Sequence, residues 1–170
     1  MSLQICGLNV SSSQKELQPH GTIDFPCAAY ESAHSGNASD IIPWHWHEEL
    51  EIVYIKEGTL KLQIPAKDYV LNAGDLVILN ANLLHSAIGA PYGELCSLVF
   101  SPFLLTGNSS SAFYVKYIFQ NLFTLPCRPS QHTPQALSSL LSSVHASSHR
   151  LHMRSFRCCY TMHTRHSHIG

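Results

Sequence analysis

Charge is scarce in this chain: only 12% of its 170 residues are Asp, Glu, Lys or Arg, about half the share usual in globular domains. Acidic residues are missing altogether from residues 95–170, which hold six bases, while residues 1–94 hold all 11 acids and four of the ten bases. The two halves therefore stand at −7 and +6. Six scattered bases release few counterions and no recognition element accompanies them, so direct nucleic-acid binding by this chain is not expected. Also lacking is any run of 18 apolar residues, or a basic flank followed by an apolar stretch at the N-terminus. That argues against a membrane-spanning helix and a secretory leader, and a soluble, cytoplasmic protein is expected. The six cysteines, Cys6, Cys27, Cys96, Cys127, Cys158 and Cys159, show no regular spacing, and most are expected to be reduced thiols.

What is present is enough apolar residue, 45%, to build a core, and enough length for one domain with appendages. Residues 11–40 are rich in Ser, Gly, Asn, Pro and His, interrupted by one apolar stretch, 25–30, that reads as a strand. From Trp44 to Phe100 short β-rich runs follow at 50–55, 59–64, 69–71, 76–79, 83–88 and 95–100, with turn signals at 57–58, 65–68, 72–75, 80–82 and 89–93. Many short strands with turns about every ten residues predict a mainly β protein, an antiparallel sandwich or small barrel. After Pro102 the period changes. Val115, Ile118, Phe119 and Leu122 make a helical stripe within 112–123. Thr133 and Pro134 open a second helix whose apolar face is Leu137, Leu140, Leu141 and Val144. The expected organisation is an arm at 1–24, a barrel at 25–106, a helical segment at 107–145 and an irregular, disordered tail at 146–170. In that tail His163, His166 and His168 lie near two thiols without a standard zinc spacing.

The chemistry concentrates in Trp44-His45-Trp46-His47-Glu48-Glu49-Leu50-Glu51. In an extended strand residues of equal parity share a face, so His45, His47 and Glu51 point the same way. A second segment, starting at Gly74-Asp75, brings His85 at the end of a strand, and a curled sheet can carry it to the other three. Three imidazoles and a carboxylate suit a divalent metal such as Zn, Ni, Mn or Fe and leave coordination positions open. The same residues can equally line a polar pocket that hydrogen-bonds a ligand with no metal present.

These residues carry a resemblance. His45, His47, Glu51 and Gly58 match the first cupin motif residue by residue, with only its leading glycine missing, and Gly74 and His85 hold the outer positions of the second, in which Asn80 and Asn82 replace a proline and a glycine. Asn also tolerates the left-handed turn conformation, so the turn survives the change. Within the cupins, Pro-Trp-His-Trp-His-Glu-Glu-Leu-Glu-Ile, Lys-Glu-Gly-Thr-Leu and Ala-Gly-Asp-Leu-Val-Ile-Leu-Asn-Ala-Asn-Leu-Leu-His-Ser resemble the N-terminal sensory domain of AraC-type transcription regulators over about residues 25–125. The resemblance implies a cupin (jelly-roll) barrel that binds a small effector such as a sugar, then helices that pair two subunits, then helix-turn-helix units. Nothing after Val144 offers the last of these, so DNA binding is expected only of longer relatives.

Two functions compete on this reading. One is a ligand-sensing, dimerising module in which His45, His47, Glu51 and His85 bind the effector or a metal, and Trp44, Trp46, Tyr54 and Tyr69 face the barrel interior and stack on a planar ligand. The other is a free-standing metal-dependent cupin enzyme, an isomerase or dioxygenase. Such an enzyme needs a proton-moving group beside the metal. Glu49 shares the parity of the ligands, but charged strand residues are usually solvated, and the non-enzymatic reading is preferred.

Overall fold

A computed structural model describes residues 8–112 and 114–119. Six strands make up most of it: β1 (Cys27–Ser35), β2 (Ile41–His45), β3 (Leu50–Ile64), β4 (Lys67–Asn72), β5 (Leu76–Leu79) and β6 (His85–Phe100). A single turn of α1 (Phe103–Thr106) and a π-helical segment, Tyr114–Phe119, follow. The mainly β fold expected from the spacing of short apolar runs is the fold found, and every strand pairing is antiparallel.

The sheet is organised around two long strands. β3 and β6 pair along almost their whole length, from Leu50↔Phe100 to Gln63↔Ser86. The outer edge of β6 takes β2 at its start and β1 over the rest, and the outer edge of β3 takes β5 first and β4 after it. Each long strand had been read as two short ones, and both corrections have the same cause. Gly58 ends no strand: β3 runs through it with register shifts on either side, between Ile55 and Glu57 and between Gly58 and Leu60. Its φ is +69°, and a Cβ there would lie 2.3 Å from the Tyr92 carbonyl oxygen. The predicted turn at 89–93 is likewise strand, with a cis Ala90–Pro91 bond, and a Cβ on Gly89 would lie 2.1 Å from the His34 carbonyl oxygen. Glycine inside a strand marks a bulge or a close backbone approach as often as a stop.

The segment 11–40, rich in turn-forming residues, holds more strand than the one stretch expected at 25–30. β1 extends through Ser35, and β2, whose last residue His45 falls in the extended stretch expected at 45–51, carries Pro43 on a sheet edge, where its missing N–H costs no ladder bond. The N-terminal segment forms an isolated bridge between Val10 and Glu16 and a parallel one between Lys15 and Trp46.

Alternation along the strands puts Val53, Ile55, Leu60, Leu62, Leu71, Val77, Leu79, Ala87 and Leu95 into one buried cluster. Burying each large aliphatic side chain contributes roughly 1.5–3 kcal/mol. A second cluster joins Cys27, Leu50, Leu98 and Phe100 to Ile118 of the π-helical segment, so of the stripe expected within 112–123 Ile118 packs on the sheet, while Val115 is 46% exposed and Leu122 lies outside the described residues. The expected helix at 133–144 and the tail at 146–170 lie outside the described residues.

Candidate functional site

His45 closes β2, His85 opens β6, and the two are direct partners across the pair, with ring centroids 4.1 Å apart. His47 lies in the bend between β2 and β3, and Glu51 is the second residue of β3. The expected shared strand is thus interrupted, yet the four side chains converge. Glu51 Oε2 is 3.5 Å from His47 Nε2 and 3.4 Å from His85 Nε2, and one ring nitrogen from each of His45, His47 and His85 falls within 4.8 Å of the others. All three histidines are 4% exposed.

The backbone fixes how these rings face. His45 Nδ1 donates to the Pro43 carbonyl at 2.8 Å, His85 Nδ1 to the Leu83 carbonyl at 2.8 Å, and His47 Nδ1 to the Glu49 carbonyl at 3.1 Å. A carbonyl oxygen only accepts, so each Nδ1 carries the proton and each neutral Nε2 presents a lone pair. Lone pairs of His47 and His85 and a carboxylate oxygen therefore meet with no donor between them, which is electrostatically unfavourable unless a proton or a cation joins them. Three imidazoles whose far nitrogens are anchored to carbonyls, with one carboxylate, fit a divalent ion in both donor chemistry and outer-sphere support.

Protonation follows the same geometry. Burial and the neighbouring His85 push His45 down to about 4. Burial opposes the charge on His47 too, but its contact with Glu51 outweighs this and raises its pKa. Burial likewise opposes ionisation of Glu51, and the facing imidazoles of His47 and His85 overcome it and hold the carboxyl well below the usual range.

The cluster lies on the wall of a cavity of about 400 Å³. Aliphatic side chains, among them Val53, Leu60, Leu62 and Leu95, form much of its surface. Three of the predicted site residues are elsewhere. Trp44, Trp46 and Tyr54 do not line it, and neither does Tyr69. Trp44, Trp46 and Tyr54 have the opposite parity to His45, His47 and Val53, which do line it. The Trp46 indole donates to the Ser13 carbonyl at 2.9 Å with the Lys15 ammonium 5.4 Å from its ring, and Tyr69 lies under Lys67. Glu49 is also outside the lining, with a carboxylate oxygen 3.8 Å from His47 Nδ1.

Sequence reasoning missed other lining residues: Glu16, Gln18 and His20 from the N-terminal segment, and Tyr30, Ser32 and His34 from β1. The alternation of Tyr30, Ser32 and His34 was legible once β1 was extended past residue 30. For Glu16 and His20 the one available signal was their four-residue separation. His34 is held by Ser32 Oγ at 2.9 Å and Asp40 Oδ1 at 3.2 Å.

The chain thus sets an antiparallel β fold around a cavity whose wall carries a histidine cluster. The chain belongs to the AraC-like ligand binding domain family, whose model matches residues 29–157. It is 30% identical over 113 residues to an uncharacterized HTH-type transcriptional regulator, YdeC, of Bacillus subtilis (strain 168), an alignment covering 65% of this chain and 39% of that protein. The chain thus aligns with about two fifths of that regulator's length. Among solved structures, it resembles ToxT of Vibrio cholerae O395 with a TM-score of 0.52 and 14% identity, over 69% of this chain and 48% of that one. A cupin-like protein of Thermotoga maritima aligns at a TM-score of 0.43 and 22% identity, over 47% of this chain and 61% of that one. The ToxT likeness is one of fold. No described helix is long and apolar enough to cross a membrane.

Proposed function

We propose that this chain is the effector-binding part of an AraC-type transcription regulator, non-enzymatic, and that a divalent metal held by His45, His47, His85 and Glu51 forms the floor of its ligand site. One observation carries the reading: ring nitrogens of three imidazoles, each ring fixed from behind by a main-chain carbonyl, converge on the cavity wall, with a Glu51 carboxylate oxygen within 3.5 Å of two of them. When bound, the metal supplies a Lewis-acidic anchor for an oxygen of the ligand. The residues do the rest. The carbonyls hold the rings, Glu51 supplies negative charge, and the aliphatic wall excludes water from the ligand body.

A sugar is one candidate effector. The aliphatic lining, with both indoles outside it, favours a ligand with an apolar body over a sugar stacked on Trp44 or Trp46. The ToxT structure holds (E)-4-(8-methylnaphthalen-1-yl)but-3-enoic acid, an acid with an apolar body, and a ligand of that type is consistent with this lining. Dimerisation is part of the same proposal, through the apolar side chains that α1 leaves exposed.

Metal analysis of the purified chain together with thermal unfolding tests the reading. Wild type is expected to bind one Zn or Ni ion per chain and to gain stability, about 2.7 kcal/mol at a metal concentration 100 times the dissociation constant. His47→Ala is expected to lose that gain while still folding. Equal metal stabilisation in His47→Ala would remove His47 from the site, and turnover of a small substrate by the metal-loaded protein would make it an enzyme.

A further inference from the structure

The cavity has a second polar region beside the triad, which the metal site leaves unused. Glu16 and His20 reach it from the N-terminal segment and Tyr30 from β1. The His20 and Glu16 side chains are only 5% and 8% exposed, and the His20 ring meets the His47 ring edge-on with centroids 5.2 Å apart, so this region abuts the triad. A carboxylate accepts, so His20 Nε2–H donates to Glu16 Oε2, at 3.1 Å. In the neutral ring Nδ1 is then the lone-pair nitrogen, and it takes the Tyr30 hydroxyl proton at 2.8 Å. The phenol proton is committed, and His20 is the hydroxyl's partner among the described residues. The lone pairs of the phenol oxygen are left to accept from whatever fills the cavity.

The charges on the lining narrow the occupant. Glu16 and Glu51 are among the lining residues, Glu31 lines the cavity with its carboxylate mostly exposed and paired with Lys56, and among the described residues no Lys or Arg lines it. An anionic group can be balanced there by a metal on the triad and by no cationic side chain of those two types. The aliphatic wall takes the uncharged remainder of a ligand.

Resting on the metal-dependent reading above, we propose that Tyr30 is a ligand-contacting residue, positioned by Glu16 and His20, and that it accepts a hydrogen bond from the hydroxyl of a small hydroxy acid. The carboxylate of that acid faces the metal, and its apolar body lies against Val53, Leu60, Leu62 and Leu95.

Two probes that differ by one hydroxyl test this. The full chain, loaded with Co(II) at pH 8, is titrated with mandelate and with phenylacetate, followed by calorimetry and by the cobalt absorption bands. Wild type should prefer mandelate, and Tyr30→Phe should reduce that preference about fivefold, the worth of one neutral hydrogen bond. Glu16→Leu, which removes the acceptor that orients His20, should lose part of the same preference while the cobalt bands of the acid-free protein stay as in wild type. A mandelate preference unchanged in Tyr30→Phe overturns the proposal, as does a cobalt-loaded wild type that binds neither acid. A wild type that takes up no cobalt overturns the metal reading beneath it, and the absorption bands distinguish that failure from the other two.

Discussion

At the residue scale, the site is a contest between burial and pairing, and its histidines resolve that contest in opposite directions. His45, depressed to about 4, is neutral in the metal-free fold while the unfolded chain still takes up a proton near pH 6.5. The unfolded state then binds more protons between those values, and stability falls on acidification from pH 6.5 to 4, by about 3 kcal/mol for this group alone. His47 and His20, both raised, work the other way. Their stabilisation is complete below about pH 6.5 and is lost as pH rises through their folded values. Urea unfolding of the metal-free protein from pH 4 to pH 8 should show the acid-side loss in wild type and a smaller one in His45→Asn. A second residue-scale expectation concerns Cys27, which is 6% exposed and whose thiol burial pushes up to about 11. Its peptide should resist iodoacetamide at pH 7.5 in the folded protein and react on unfolding, as read by peptide mapping. That His45, His47, Glu51 and His85 come together was legible in the sequence through the spacing of two motifs, although the strand expected to carry 45–51 is interrupted between His45 and Leu50. The orientation of each ring was not legible, since it depends on main-chain carbonyls two residues away.

At the element scale, strand identity was easier to read than strand extent. The apolar runs at 50–55 and 59–64 are both strand, but they belong to one element, because Gly58 supplies a bulge with positive φ under Tyr92 rather than a turn. The same holds for 83–88 and 95–100 across Gly89 and Pro91, except that residues 83 and 84 precede β6. β2 was read only at its end, because turn-forming residues precede it at 35–40 and Pro43 interrupts its apolar run. Attachment of the π-helical segment to the sheet rests on Ile118, 6% exposed among Cys27, Leu50, Leu98 and Phe100. Ile118→Ala should cost about 2–4 kcal/mol from lost burial and the cavity left behind. For a chain of this length that lowers the melting temperature by roughly 5–15 °C. A drop of under 2 °C in a thermal scan would show that the segment is not held there.

At the scale of the whole molecule, the described residues leave consecutive apolar side chains in water: Phe103 is 46% exposed, Leu104 51% and Leu105 60%, with Val115 at 46% nearby. Contiguous exposed apolar surface on a small protein marks a contact site. If that contact is a second copy, sedimentation of wild type should give a dimer and Leu105→Glu a monomer, while the metal stoichiometry stays the same. The direct pairing of His45 with His85 also has a consequence for the sheet. β2 is five residues long and joins the sheet through β6 alone, and a slip of one residue would turn its imidazole to the opposite face. An ion gripped by both histidines would act as a rivet through that seam, locking a short peripheral ribbon in one alignment, and whatever strips the ion away would loosen first the edge on which the N-terminal segment leans.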